Sequence, residues 1–389
     1  MSESIVSEKW NRYLQANYGT PEITLTHGSG CEVWDESGLR YLDFLGGIAT
    51  NSLGHAHPAI VAAVSKQIAE LNHTSNFYAH PQVISLAQTL QELVGDTTAR
   101  TFFCNSGAEA NEAALKLSRL TGRKKIVSFV GSFHGRTMGA LSMTGQPDKQ
   151  EAFKPLVKKI KFAEFNDLRS VAKLVDKKTA MLIVEPIQGE RGVLPCEKGF
   201  LKGLREITAN AGALLAIDAV QTGMGRTGTW FGYENESIKP DIVTLAKGLG
   251  GGIPIGAMIA IGAAGNLFQA GSHGSTFGGN PIAAASANAV IAEIKKENFL
   301  LGNREKGEVI KKELSKISGV KYVRGSGLLL GIVLESANAK EITKSLMKRQ
   351  ILVNAPSENV IRIAPAYVIS KEQIIEFIQV FEEVLTNAK

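Results

Sequence analysis

Residues 213–262 read ALLAIDAVQTGMGRTGTWFGYENESIKPDIVTLAKGLGGGIPIGAMIAIG. Three apolar runs stand in this stretch: ALLAID at 213–218, DIVTLAK at 241–247 and PIGAMIAIG at 254–262. None alternates with polar residues, so each reads as a strand buried on both faces, as in a sheet covered on two sides. The same rhythm extends upstream. TFFCN at 101–105 precedes a helix expected from about 108 to 120, KIVSFV at 125–130 precedes FHGRT, and MLIVEP at 181–186 precedes a glycine-rich turn. Residues 200–210 read as a helix. Strand and helix in turn predict the α/β class with a large, mostly parallel sheet.

The flanks read differently. CEVWDESGLRYLDFL at 31–45 alternates on both sides of Asp35–Gly38, a hairpin pattern. A helix is expected beyond Pro58, with Ile60, Val64 and Ile68 along one face, and another beyond Pro81 with Ile84, Leu86 and Leu90. After Pro281 the chain reads helical to Lys296. From about Leu300 it reads helix, strand, strand, helix, strand, helix, with VRGSGLLLGIVL at 323–334 the clearest strand region. The expected division is an amino-terminal segment, 1–54, packing with a small α/β domain, 281–389, beside a large domain, 55–280.

Composition narrows the function. Of 389 residues, 44% are hydrophobic and 21% charged, which excludes disorder over most of the chain. Forty glycines against twelve prolines, without a collagen period, point to tight turns or close backbone approach to a ligand. The net charge of +6 is modest. Basic runs at 158–161 and 177–178 lack interleaved aromatics, so they read as solvated faces and no nucleic-acid partner is expected. Cys31, Cys104 and Cys196 form neither a disulfide framework nor a zinc ribbon, and His55 and His57 lack an HExxH context, so no metal is expected. GLGGGIPIG lacks the order of a phosphate-binding nucleotide loop. With no apolar signal core and no apolar run of about 18 residues, a cytoplasmic protein without a membrane span is expected.

Asp218 and Lys247 both fall at predicted strand ends. The carboxyl ends of such strands face the ligand crevice of an open α/β sheet, so the two side chains can share one site. A buried ion pair is one reading. The other is a pyridoxal phosphate site, in which the lysine forms an imine with the cofactor aldehyde and the aspartate keeps the pyridine nitrogen protonated. That second reading demands a phosphate cradle. Ser106, Gly107 and Ala108, between strand and helix, offer backbone N–H groups and a helix dipole, although Ser-Gly before a helix also serves as a plain cap. Phe133 fits either the core or a ring cover. Arg136, on the following loop, suits a carboxylate ligand or a surface ion pair.

Over essentially its whole length the chain resembles the class III, fold-type I pyridoxal-phosphate aminotransferases. The resemblance is carried by YLDFLGGIATNSLGHAHP, HTSNFY, FFCNSGAEANEAALK, FHGRTMGALSMTGQ, EPIQGERGV, LLAIDAVQTGMGRTG, PDIVTLAKGLGGGIPIGA, HGSTFGGNP and VIRIAP, in that order. It implies pyridoxal 5′-phosphate on Lys247, with Asp218 on the pyridinium, Gln221 near O3′, and Phe133 and Val220 on opposite ring faces. The phosphate would lie on Ser106, Gly107 and Ala108 of one subunit and Thr276 of its neighbour, making a homodimer with shared active sites. Arg136 would take the distal carboxylate of an ω-amine donor, and Arg362 the α-carboxylate of glutamate or 2-oxoglutarate. Glu190 would mask Arg362 when the donor is bound. Tyr18 and Ser275 would also contact substrate. The implied reaction moves the δ-amino group of N2-acetylornithine to 2-oxoglutarate in arginine biosynthesis; succinylornithine, ornithine, 4-aminobutyrate or a lysine-pathway intermediate, or a non-catalytic binding role, are the alternatives. Two positions depart from the family pattern. Ala219 stands where glutamate is usual, which puts hydrogen bonding near the cofactor in question, and Arg191 stands where glycine is common, able to pair with Glu190 or to face solvent.

Overall fold

The computed structural model describes residues 5–387; the opening MSES and the last two residues lie outside them. Three strands come first, β1 (Leu25–Ser29), β2 (Glu32–Asp35) and β3 (Arg40–Asp43). Then follow β4 (Arg100–Cys104), β5 (Lys125–Phe129), β6 (Ile160–Ala163), β7 (Thr179–Val184), the short β8 (Ile187–Gln188) and β9 (Leu194–Pro195), β10 (Leu214–Asp218), β11 (Ile242–Leu245) and β12 (Gly256–Ala260). Seven of these form the central sheet in the order β4-β12-β11-β10-β7-β5-β6. Its β11, β10, β7, β5 and β6 run parallel, while β12 is antiparallel to both neighbours.

Successive residues of a strand point to opposite faces, and here both faces are apolar. Ile126, Met181, Ile183, Ala216 and Ile242 join one buried cluster with Ala113, Ala114 and Leu117 of the helix Gly107–Arg119. Their neighbours Val127, Leu182, Leu215, Ile217 and Val243 join the other, with Leu201 and Leu204 of the helix Phe200–Ala211. A sheet sandwiched in this way leaves its strand ends as the place where polar side chains can gather.

The carboxyl-terminal third adds β13 (Val320–Ser326), β14 (Leu329–Leu334), β15 (Ile351–Leu352), β16 (Asn354–Ser357) and β17 (Val360–Ile363). The region expected as strand at 323–334 is an antiparallel hairpin turning at Gly327, which has φ +53° and whose added Cβ would lie 2.6 Å from the Arg226 carbonyl. Where one strand was expected between the last helices there are three. Pro356 sits in β16, at the edge of the sheet β13-β14-β17-β16, where a missing N–H costs no ladder bond. β15 pairs in parallel with β3 and so completes the sheet β1-β2-β3-β15. β1 was not expected at all: LTHGS is largely exposed and polar, so no apolar alternation marks it.

The helices Pro58–Glu70 and Pro81–Val94 open as read, with proline in the first turn and His57 and His80 accepting from the N–H groups of Ala59 and Val83. Their expected apolar faces are only partly used. Ile60, Leu86 and Leu90 are buried, whereas Ile68 and Ile84 are more than half exposed. The helix Pro281–Ile294 packs on both of these helices.

Candidate active site

A cavity of about 410 Å³ lies at the carboxyl ends of β10 and β11. Asp218 closes β10 in register with Thr244 of β11, and Lys247 stands two residues beyond the end of β11. Both line the cavity. Lys247 has φ +41°, a left-handed backbone unusual for a residue with a Cβ, a strain that the surrounding turn must hold in place. Burial, and after it the Arg362 charge, pushes the Lys247 ammonium below its ordinary pKa. A buried lysine with a weakened hold on its proton is suited to nucleophilic and proton-transfer work.

Asp218 is buried and oriented from three sides. Its Oδ2 accepts from Asn111 Nδ2 at 2.8 Å and meets His134 Nδ1 at 2.7 Å, and its Oδ1 accepts the Val220 N–H at 3.1 Å. Asn111 is itself fixed, donating also to the His134 carbonyl and accepting from Thr244 Oγ1. The buried His134 Nε2 has no hydrogen-bond partner among the described residues. The ring therefore places its N–H on Nδ1, toward the carboxylate, because an orphaned N–H costs more than an orphaned lone pair.

Ser106 caps the helix Gly107–Arg119, accepting the Glu109 N–H at 3.2 Å, while the Glu109 carboxylate reaches back to the Asn105 N–H. The N–H groups of Gly107 and Ala108 face the cavity end of this helix without protein partners among the described residues. Gly107 is needed for space: an added Cβ would lie 2.7 Å from Val220 Cγ1. Free amides at a helix amino terminus, with the wall pressed against a glycine, fit a phosphate group.

Glu190 accepts from Arg362 Nη1 at 2.6 Å, and Asn354 Oδ1 holds the guanidinium Nε at 3.1 Å. Burial raises the Glu190 pKa, but the charge of Arg362 and its hydrogen bond outweigh that and hold it below the usual carboxylate range. Gln221 lines the same cavity. Arg136 is exposed at the rim with its guanidinium 5.8 Å from the Phe133 ring centroid, and makes no ion pair among the described residues. Two of the expected residues, Tyr18 and Thr276, lie elsewhere. Tyr18 is 73% exposed and does not line the cavity. Thr276 is exposed and belongs to a separate hollow with His73 and Asn76. Ser275 Oγ accepts from Asn105 Nδ2 at 3.1 Å, at the cavity edge.

Three side chains of the site escaped the sequence reading: Asn111, His134 and Glu185. Glu185 follows β7 directly and accepts the Phe133 N–H at 2.9 Å. Burial first, and then the Asp218 charge, pushes its carboxyl well above the usual range. The one sequence signal for Asn111 was an amide three and four residues before Ala114 and Leu115, on a buried face of its helix.

The two departures resolve differently. Ala219 is buried in the apolar core and does not line the cavity, so the absent carboxylate is not a missing pocket contact. Arg191 turns away from Glu190 and donates to the Val130 carbonyl at 3.3 Å.

A buried lysine and aspartate on neighbouring strand ends, beside amides fitted for a phosphate, define an enzyme of pyridoxal-phosphate amine chemistry. Residues 13–385 match the family described as Aminotransferase class-III. The acetylornithine aminotransferase of Streptomyces coelicolor is 48% identical over 391 residues, covering 100% of this chain and 97% of its own. That of Mycobacterium leprae is 49% identical over 383 residues, covering 98% and 95%. Among solved structures, the ornithine aminotransferase of Toxoplasma gondii superposes with a TM-score of 0.93 at 29% identity, covering 98% and 94%. The N-acetylornithine aminotransferase of Stenotrophomonas maltophilia does so with a TM-score of 0.85 at 32% identity, covering 98% of each chain. The chain belongs to the class-III aminotransferases, and its cofactor is pyridoxal 5′-phosphate.

Proposed function

We propose that this aminotransferase moves the δ-amino group of N2-acetylornithine to 2-oxoglutarate, giving N-acetylglutamate 5-semialdehyde and glutamate. The observation that carries the reading is the 2.6 Å Arg362–Glu190 pair, in which Arg362 is buried and Glu190 lines the cavity that Arg136 borders without an ion pair among the described residues. An acylated diamine presents one carboxylate, far from the reacting amine, and Arg136 takes it. The rest of that donor faces Arg362 with methylenes only. An unpaired guanidinium there would suffer its full desolvation cost, and Glu190 supplies the missing charge. Glutamate and 2-oxoglutarate carry a second carboxylate beside the reacting carbon. For them Glu190 must swing away so that Arg362 can bind it. The names of the similar bacterial enzymes support the same donor.

When bound, the cofactor supplies an electron-withdrawing ring that acidifies the carbon bearing the amine. Asp218, steadied by Asn111 and His134, holds the proton on the ring nitrogen. Lys247 Nζ, whose hold on a proton burial weakens, would take the proton from the substrate carbon and deliver it to the cofactor carbon that carried the aldehyde. Phe133 and Val220 bound the slot between them and exclude water.

Half-reactions followed one at a time test this reading. Arg362→Ala should slow the 2-oxoglutarate half-reaction by roughly 30-fold or more, for a lost charged contact of about 2 kcal/mol, and leave the acetylornithine half-reaction much closer to wild type. Glu190→Ala should shift the preference toward glutamate. A higher kcat/KM for ornithine or 4-aminobutyrate than for acetylornithine in the wild-type enzyme would overturn the donor.

The active unit is proposed to be a homodimer. Phe77 is 93% exposed, and Tyr78, Phe277, Ile68 and Ile84 are also open, apolar side chains that a second copy would cover. Thr276 lies on this side, outside the cavity of its own chain, as a contribution to the neighbour's phosphate site requires. Thr276→Ala should weaken cofactor retention by roughly tenfold or more, the worth of one hydrogen bond to a charged group. A fully active monomer by light scattering would contradict the shared site. The division at 1–54, 55–280 and 281–389 also stands as a proposal. β15 on β3 supports joining the amino-terminal strands to the last third, whereas the helix Pro281–Ile294 packs with the large part. No helix among the described residues is long and apolar enough to cross a membrane, and the cysteines are free, which supports a cytoplasmic site of action.

A further inference from the structure

The amino ends of β5, β6 and β7 lie at the opposite edge of the sheet from Glu185 and the catalytic cavity. There the chain forms an open hollow of about 580 Å³, lined by Gly122 and seven cations from three separate segments at the starts of these strands, 123–125, 159–161 and 177–178. Because β6 and β7 both run parallel to β5 on either side of it, the loops entering the three strands meet at one edge. In the sequence the runs at 158–161 and 177–178 read as solvated faces; the strand order joins them with 123–125 into one surface.

Two of the cations are committed. Lys125 Nζ sits 2.7 Å from Asp176 Oδ1, and Arg123 is tied to the carbonyls of Thr179 and Ala211. The other five, Lys124, Lys159, Lys161, Lys177 and Lys178, make no ion pair among the described residues. Seven cations against one carboxylate equal the +6 of the whole chain, so the remainder of the protein is electrically balanced and this hollow carries the excess. A concave wall of one sign focuses the field and concentrates multivalent counter-ions. Lysines act as movable point charges toward phosphate oxygens, and no aromatic side chain lines the hollow to stack a base.

We propose that this hollow binds a compact multivalent phosphate anion, an oligophosphate group, at a site separate from the active centre. The holoenzyme is the right material, because its own phosphate cradle is then filled by cofactor. Calorimetric titration with tripolyphosphate should show one site per chain, at least about tenfold tighter than for orthophosphate, and weakening steeply between about 50 and 200 mM salt. The double variant K159E/K177E should lose at least about tenfold of that affinity, with the cofactor absorption spectrum and turnover unchanged. K295E/K296E, which alters an exposed lysine pair elsewhere, should bind as wild type does. A nucleoside triphosphate in a parallel titration separates two sources of the same group: equal affinity identifies the phosphate chain alone as the ligand, and much tighter binding identifies an organic phosphate carrying it. The proposal fails if tripolyphosphate does not bind, if it binds K159E/K177E equally, or if K295E/K296E loses it instead. It also fails if a single-stranded oligonucleotide binds more tightly than tripolyphosphate, which would assign the surface to nucleic acid.

Discussion

Lys247→Ala is expected to abolish transamination while leaving the fold intact. Loss of proton transfer alone should cost roughly 10²–10⁴-fold, and loss of the covalent anchor for the cofactor adds to that. Stability should change little. Burial penalises the charged form of Lys247, so at neutral pH this side chain is not a source of stability that alanine would remove. The measurements are the melting temperature, single-turnover rates with acetylornithine, and peptide mass mapping after borohydride reduction. In wild type the reduced adduct should map to Lys247, and in the variant no lysine should replace it. A variant that keeps a tenth of wild-type activity, or a wild-type adduct on another lysine, would remove Lys247 from its role.

Asp218→Asn should be the second most damaging change, for a reason that the surrounding hydrogen bonds make specific. The carboxylate accepts from Asn111 and His134 on one oxygen and from the Val220 N–H on the other. An asparagine amide must turn its NH₂ toward one of these donors, leaving two donors face to face in a buried site. It also withdraws the negative charge that holds a proton on the ring nitrogen. Together these should lower the rate by roughly 10²–10³-fold, as for other preorganised electrostatic groups. The cofactor absorption spectrum should change its pH dependence, which a purely structural lesion would not cause. Wild-type kinetics together with an unaltered spectral pH profile would show that Asp218 acts only as a packing residue.

The readable part of the molecule is its middle. ALLAID, DIVTLAK and MLIVEP carry apolar runs that do not alternate with polar residues because both faces of β10, β11 and β7 are covered, and that pattern survives in the chain text. Strand ends followed from the same runs, and with them the placing of Asp218 and Lys247 in one crevice. β1 was unreadable because an exposed edge strand has no apolar period to display. Ile68 and Ile84 misled the helix-face reading for a related reason: a stripe of apolar residues predicts burial without saying against what, and within one chain these two find no cover. Asn111, His134 and Glu185 come from three segments and meet only around Asp218, so no spacing in the sequence could announce them.

Elements, caps and the strand–helix rhythm depend on neighbours along the chain, through side-chain period and the unpaired amides of a helix start, and the sequence alone determines them. Encounters between elements depend on strand order, which is non-local. Only the folded structure shows that Arg191 leaves Glu190 for the Val130 carbonyl, that Glu190 is therefore free to neutralise Arg362, and that Ala219 faces core instead of pocket. The placing of β5 between β6 and β7 likewise brings the basic runs at 158–161 and 177–178 together with 123–125 in one charged hollow, because parallel strands must begin at the same edge of their sheet.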